Sequence, residues 1–282
     1  MNRKSSLLRD ALGRFVKNRP AVAGFFVILV FMVCAAAPSV IAPYGYDDQN
    51  LNEQFLSPSL AHLFGTDYFG RDIFSRTVYG SRVSLTIGMV SVSISCTLGV
   101  LLGCMAGYFG SYLDNIIMRG MDILMAIPSI LLAVAVVASL GIGYQNIILA
   151  VSISPIPQYA RLVRGTVMAM KNRDFVTAAY SDGAGDRWII YRHILPNCLA
   201  PIIVQATTNI AIAILTVSSL SFIGLGIVPP TPEWGSMLAA GRAYFRDYWF
   251  VVTFPGLAIM LSVLAFNLFG DGLRDALDPK MK

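Results

Sequence analysis

Charge is scarce in this chain. Asp, Glu, Lys and Arg make up 13% of 282 residues, against 56% hydrophobic ones, where a soluble domain carries about 25% and roughly 45–50%. A soluble fold of this length would still need a charged shell, so the composition excludes one and indicates an integral membrane protein. Histidine is nearly absent: His62 and His193 are far apart and have no companion at metal-site spacing. Cys34, Cys96, Cys104 and Cys198 share no CxxC spacing and lie in or beside apolar runs, so they read as small hydrophobes rather than disulfides or ligands. None of the five lysines follows a glycine, which excludes a phosphate-cradling Gly-Lys-Ser/Thr loop. The apolar runs also lack the carboxylates and histidines that ion-coupled pumps place inside the membrane. That disfavours a secondary transporter; a non-transporting membrane scaffold is the other rival reading. The net charge of +5 is scattered between apolar runs, without interleaved aromatics, so nucleic-acid binding is not expected.

What is present is a series of long charge-free runs. Ala21 to Pro43 is 23 residues long and follows Arg3, Lys4, Arg9, Arg14, Lys17 and Arg19. It is long enough to span and longer than a signal-peptide core, so an uncleaved signal anchor is expected. Leu8, Leu12 and Phe15 share one helical face in the preceding segment, 1–20, which fits an amphipathic helix on the membrane surface. Further runs at 83–113, 123–160 (divided by the polar GIGYQN at 141–146), 199–228 and 249–270 bring the expected count to six spans between 21 and 270. Loops are expected at 44–82 and 166–195. The tail, 271–282, carries Asp271, Arg274, Asp275 and Asp278 at helical spacing, which predicts a surface helix with internal ion pairs, with contact to partner subunits as the other reading. With both ends in the cytoplasm, sixteen Lys and Arg fall inside and five outside; the reverse would place sixteen outside, so the positive-inside rule favours cytoplasmic termini. Gly, Ala and Ser recur within the spans, where small residues let helix backbones approach in lipid.

One polar island interrupts this pattern: DFVTAAYSDGAGDRWIIYRHILP, residues 174–196. The residues predict a helix over 172–180, a turn at Gly183 and Gly185, a second helix from Asp186, and Pro196 in the first turn of the next span. A solvated connector is one reading. A docking element is the other, since the aromatics Phe175, Tyr180, Trp188 and Tyr191 are more than a passive linker requires. Thr177-Ala178-Ala179, three residues, Gly183, nine residues, then His193-Ile194-Leu195-Pro196 resembles the EAA loop of ABC-transporter permeases, whose pattern is Glu-Ala-Ala, three residues, Gly, nine residues, Ile, any residue, Leu-Pro. Thr177 replaces the family glutamate and His193 the isoleucine.

HLFGTDYFGRDIFSR (62–76), PPTPEWGSML (229–238) and FNLFGDGLRDALDPK (266–280) are similar to signatures of the second permease of peptide-type importers, a group that includes dipeptide, oligopeptide, nickel and glutathione systems. The resemblance implies an all-α, six-span, type I ABC-importer permease fold with a cytoplasmic coupling helix, set in a bacterial cytoplasmic membrane. It also implies a second homologous permease, two cytoplasmic ATPase subunits that bind ATP and Mg, and an extracytoplasmic solute-binding protein. No cofactor or metal is expected in this chain itself. Di- and oligopeptides are the expected cargo; nickel, a metal chelate and glutathione are the alternatives. In the outer loop, Asp67, Arg71, Asp72 and Arg76 can pair near the interface, with Gly65 and Gly70 permitting turns. That set reads as a salt-bridged cap or as a gate or seat for the binding protein. Trp234 is expected as an interfacial anchor or a partner contact.

Overall fold

The computed structural model describes residues 12–277. Helices dominate them, and the one β feature is an isolated bridge between Thr66 and Asp72. Helix α1, Arg19–Ala36, starts where the Asn18 side chain accepts the Ala21 N–H at 3.2 Å. Pro38 withholds the next ladder donor and ends it; a short α2, Pro38–Ile41, follows. Helix α3, Ile73–Phe109, is capped by Asp72, whose carboxylate accepts the Ser75 N–H at 2.7 Å, and closes at Gly110 with φ +63°. At 37 residues it is about 55 Å long, longer than the hydrocarbon layer is thick. Next come α4 (Ser111–Ala126), α5 (Ser129–Leu140), α6 (Tyr144–Ile153), α7 (Ile156–Lys171), α8 (Asp174–Ser181) and α9 (Asp186–Ile189). A π-turn over Ile190–Ile194 joins α9 to α10 (Leu195–Phe222); α11 (Trp234–Gly241) and α12 (Phe250–Leu277) complete the chain.

The expected count of six spans needs correction. Among the described residues, four helical stretches are long and apolar enough to cross alone: α1, α3, residues 186–222 and α12. The pair α4 and α5 makes a fifth only as a broken span bent by 90°. Ile127 is extended ahead of Pro128, as the residue before proline prefers. The run read as a fourth span divides into α6 and α7, because Pro155 and Pro157 interrupt the backbone ladder there. With 10 residues, α6 reaches about 15 Å, half the hydrocarbon thickness.

Boundaries moved too. α3 begins ten residues before Val83, so the expected loop 44–82 gives way to helix at Ile73. Arg76 and Arg82 are helical because their guanidinium groups have partners. Arg82 donates to the Ala35 and Ala36 carbonyls at 2.7 and 3.0 Å, taking acceptors that the C-terminus of α1 leaves open. α10 stops at Phe222, short of Val228, in a Schellman turn: Gly224 has φ +85° and the Leu225 N–H reaches the Leu220 carbonyl at 2.9 Å. In the tail, Asp278 lies outside the described residues. Arg274 pairs with neither Asp271 nor Asp275, and Asp275 instead accepts from the Asn18 side chain at 3.4 Å. At the N-terminal end Leu8 is outside the described residues; Phe15 packs edge-on against Phe269 while Leu12 stays exposed.

Close backbone packing holds the bundle together. Gly99, Gly103 and Gly107, one turn apart on α3, lie directly on α7. A Cβ at Gly99 would sit 2.8 Å from the Ile156 carbonyl, one at Gly107 2.9 Å from that of Arg164, and one at Gly103 would collide with that of Ala160. Polar links reinforce the contact with α6, since Ser91 and Ser95 donate to the Ile148 and Ser152 carbonyls at 3.1 and 2.6 Å. On the far side of α3, Leu85, Ile214, Trp234 and Phe266 form a second core with α10, α11 and α12. All four cysteines are free thiols.

Candidate coupling surface and the opposite cap

The polar island forms a surface at the C-terminal end of α3. α8 turns Val176 and Ala179 inward and leaves Thr177 and Ala178 exposed. Gly183 makes the turn with φ +82° and open space around its Cα; Gly185 has φ −74° and does not use the left-handed region. The second arm is not a separate helix. α9, the π-turn and α10 run on as one 37-residue stretch. Pro196 is therefore not at a free helix start, and the π-turn ahead of it accommodates its missing N–H.

Asp186 ties the two arms to the bundle, a role the sequence reading missed. Its Oδ1 accepts from the hydroxyls of Tyr180 at 2.7 Å and Tyr108 at 2.8 Å. These bonds, Tyr180 first, hold its carboxyl below the usual range. The residue's place at the start of a helix after a Gly-Ala-Gly turn was the available signal. Lys171 donates to the Tyr108 carbonyl at 2.5 Å. Between these groups lies a groove of about 580 Å³ lined by Tyr108, Lys171, Thr177, Tyr180 and Asp186. The Thr177 hydroxyl makes only a long 3.4 Å contact back to the Arg173 carbonyl. The groove thus carries a carboxylate from the second arm at a surface where the first arm has threonine in place of glutamate.

Four aromatics crown this surface: Phe175, Tyr180, Trp188 and Tyr191 are 41, 56, 52 and 68% exposed, more apolar area than a passive connector presents. His193 fills the place between Phe175 and Trp188, at ring distances of 5.9 and 4.8 Å. Leu195 and Pro196 open α10. Of the expected coupling residues, Thr177, Ala178, Ala179 and Gly183 cluster on the first arm and its turn, while His193, Leu195 and Pro196 lie along the second. Gly183→Val forces a β-branched residue to φ > 0. If the chain imports solute as the resemblance implies, the expected result is loss of at least nine-tenths of uptake with membrane insertion retained, read by uptake and immunoblot of the membrane fraction.

At the opposite end, the N-terminus of α3 carries the cap. Asp67 takes the Arg71 guanidinium at 2.7 and 2.8 Å, the N–H groups of Phe69 and Arg71 at 2.8 and 3.1 Å, and Arg76 at 3.8 Å. Arg76 also donates to the Tyr46 carbonyl at 2.7 Å. Asp72 takes no arginine: it caps α3 and pairs with His62 Nδ1 at 2.9 Å. All four residues are buried, and Gly65 and Gly70 turn the chain at φ +77° and +70°. Asp67→Asn leaves two buried guanidinium groups without their carboxylate and should cost about 3 kcal/mol. Faster limited proteolysis of the 42–72 segment is the expected readout.

Trp234 is not an interfacial anchor. It is fully buried, its Nε1 donating to the Thr77 carbonyl at 2.9 Å and its ring lying 5.1 Å from that of Phe31. Its neighbour Glu233, which sequence reading passed over, is also fully buried. It accepts the Gly235 and Ser236 N–H groups at 2.8 Å each, the Ser221 hydroxyl at 2.7 Å and the Ser84 hydroxyl at 3.3 Å. One carboxylate thus joins α3, α10 and α11.

The fold is a multi-helix membrane domain with a buried, ion-paired cap at one end of α3 and a helix–turn–helix surface at the other. Residues 99–282 match the family described as the binding-protein-dependent transport system inner membrane component, and residues 6–58 match the N-terminal TM domain of oligopeptide transport permease C. The chain belongs to this family of ABC-importer inner-membrane permeases, in its dipeptide and oligopeptide branch. It is 48% identical to the di/tripeptide transport system permease protein DppC of Pseudomonas aeruginosa, over 98% of this chain and 93% of that one. It is 49% identical to the glutathione transport system permease protein GsiD of Escherichia coli, over 95% and 89%. Among solved structures, the MetNI methionine ABC transporter in an inward-facing conformation matches with a TM-score of 0.58 at 19% identity, over 73% of this chain and 98% of that one. That likeness shows the fold. The chain is accordingly a multi-pass inner-membrane protein of a family of permeases rather than ATPases.

Proposed function

We propose that the chain is one permease half of an ATP-driven importer of di- and oligopeptides. A homologous permease completes the path, a solute-binding protein delivers cargo at the cap, and two ATPase subunits power transport, one of them docking on residues 172–192. The observation that carries this reading is the aromatic-crowned groove around Asp186 and Thr177, rooted in a helical stretch, 186–222, long and apolar enough to continue into the membrane. ATPase closure pushes on that surface and tilts the helices between two access states. The Lys and Arg asymmetry supports cytoplasmic termini. The chain has no Gly-Lys-Ser/Thr loop, so nucleotide hydrolysis belongs to its partners. Affinity purification of the tagged chain from native membranes tests the assembly, and uptake of radiolabelled dialanine tests the cargo. Co-purifying ATPase and dialanine uptake that requires this chain are expected; uptake unaffected by its deletion overturns the peptide reading. Glutathione, itself a tripeptide, is the second cargo to assay, given the identity to GsiD.

A further inference from the structure

Halfway along α10 the bundle carries uncharged amides. Gln205 and Asn209 are the eleventh and fifteenth of its 28 residues, which places them near the middle of the membrane if α10 spans it. Gln205 Nε2 reaches Asn209 Oδ1 at 3.2 Å and, from the neighbouring α7, Gln158 Oε1 at 3.4 Å. Behind them Tyr159 is fully buried and Asn209 is 2% exposed; the Tyr159 hydroxyl and the Asn209 amide lie beside each other, with no further partner for the hydroxyl or for Asn209 Nδ2 among the described residues. Gln158 is exposed and Gln205 half-buried. Two further half-buried hydroxyl residues on α10, Thr216 and Ser219, share the outward stripe of Gln205 at helical spacing. Each primary amide has two donors and an acceptor with two lone pairs, so the two bonds leave most of that capacity open.

Polar groups open at mid-membrane depth are costly against hydrocarbon, and those that persist face the bundle interior or a water-filled path. We infer that Gln158 and Gln205, backed by Asn209 and Tyr159, form a mid-membrane site that hydrogen-bonds the peptide backbone of the cargo as it crosses. A peptide unit presents one N–H and one C=O, and a primary amide answers both. Recognition of that kind ignores side chains. The inference rests on the proposed peptide-import function.

The test uses the intact complex in proteoliposomes with its binding protein and dialanine. The Gln158→Leu/Gln205→Leu double variant should raise the KM of uptake at least tenfold while binding-protein-stimulated ATP hydrolysis stays within twofold of wild type, and Gln205→Asn should restore most of the uptake. Unchanged uptake by an assembled double variant overturns the site. A second measurement decides the matter even where that variant fails to assemble. Gln158→Cys and Gln205→Cys are introduced after Cys34, Cys96, Cys104 and Cys198 are replaced by alanine, and each is exposed to a charged, water-soluble thiol reagent. Labelling that slows during dialanine transport is expected. Thiols that stay unreactive while uptake proceeds lie against lipid or packed protein, which also overturns it. If wild-type complex imports no dialanine, the peptide reading itself fails; reactive thiols then still mark an aqueous path lined by these amides.

Discussion

Gly103→Leu should abolish the transporter. The Gly103 Cα faces the Ala160 carbonyl and the Val163 Cβ, and even a methyl group there collides with backbone. Backbone cannot rotate aside as a side chain can, so α3 and α7 must separate along the whole Gly99–Gly107 stripe. Overpacking of this kind costs typically 1–3 kcal/mol and occasionally more; with three turns of contact displaced, the upper end applies. Uptake should fall below roughly a tenth of wild type, with reduced recovery of assembled complex from detergent. Gly103→Ala should show a milder form of the defect, because it adds a single carbon. Gly120→Ala, where an added carbon meets nothing within 4 Å, is the control and should behave as wild type. A Gly103→Leu protein that assembles and transports normally would show that the α3–α7 approach is looser than the structure has it.

The second large effect is expected at Glu233. Alanine there strands two backbone N–H groups and two serine hydroxyls in a site with no exposure. A buried donor left unsatisfied costs about 1–3 kcal/mol. Partial rearrangement of the serine rotors brings the expected loss to about 3 kcal/mol rather than the sum. On the usual scale for a chain of this size, that corresponds to a fall of roughly 6–12 °C in Tm of the purified complex. Glu233→Gln keeps the shape but points an NH2 at donors, so it should fall between wild type and alanine. Thermal unfolding followed by Trp fluorescence is the direct readout, since Trp234 packs in the same pocket. An alanine variant melting with wild type would mean that the carboxylate stabilises nothing.

Much of this architecture was legible from hydropathy, because long apolar runs have few options in a membrane. α1, α10 and α12 start within four residues of where charge-free sequence placed them, although α1 ends seven residues early, α10 six early and α12 seven late. The failures share a cause: charge was read as an exit from the membrane domain. Arg76 and Arg82 looked like loop, yet one reaches Asp67 and Tyr46 and the other reaches the end of α1, over sequence separations of 9, 30 and 46–47 residues. Contacts of that range leave no local signature. Proline was underweighted as well, since Pro128, Pro155 and Pro157 break what looked like two continuous crossings into four helices. The helix–turn–helix surface was legible through Gly183 and its spacing to Leu195-Pro196. Asp186 and Glu233 were not, because beside their near partners (Tyr180; Gly235 and Ser236) each also binds one far away in the chain, Tyr108 and Ser84. Trp234 was misread for the same reason: an aromatic beside prolines suits an interface, and only the fold reveals the Thr77 carbonyl waiting for its indole.

The unbroken run from Asp186 to Phe222 has a mechanical consequence. A helical rod of 37 residues is about 55 Å long. If it pivots near Asp186 by about 10°, its far end sweeps roughly 10 Å, and Gln205, nineteen residues along, moves about 5 Å. Two compliant joints interrupt its ladder, the π-turn at Ile190–Ile194 and Pro201 within α10, the first close to the fulcrum, where bending wastes the least travel. Load applied at Trp188 would reach the middle of the membrane through both joints, with the lever, its hinges and the amides it carries all cut from one piece of chain.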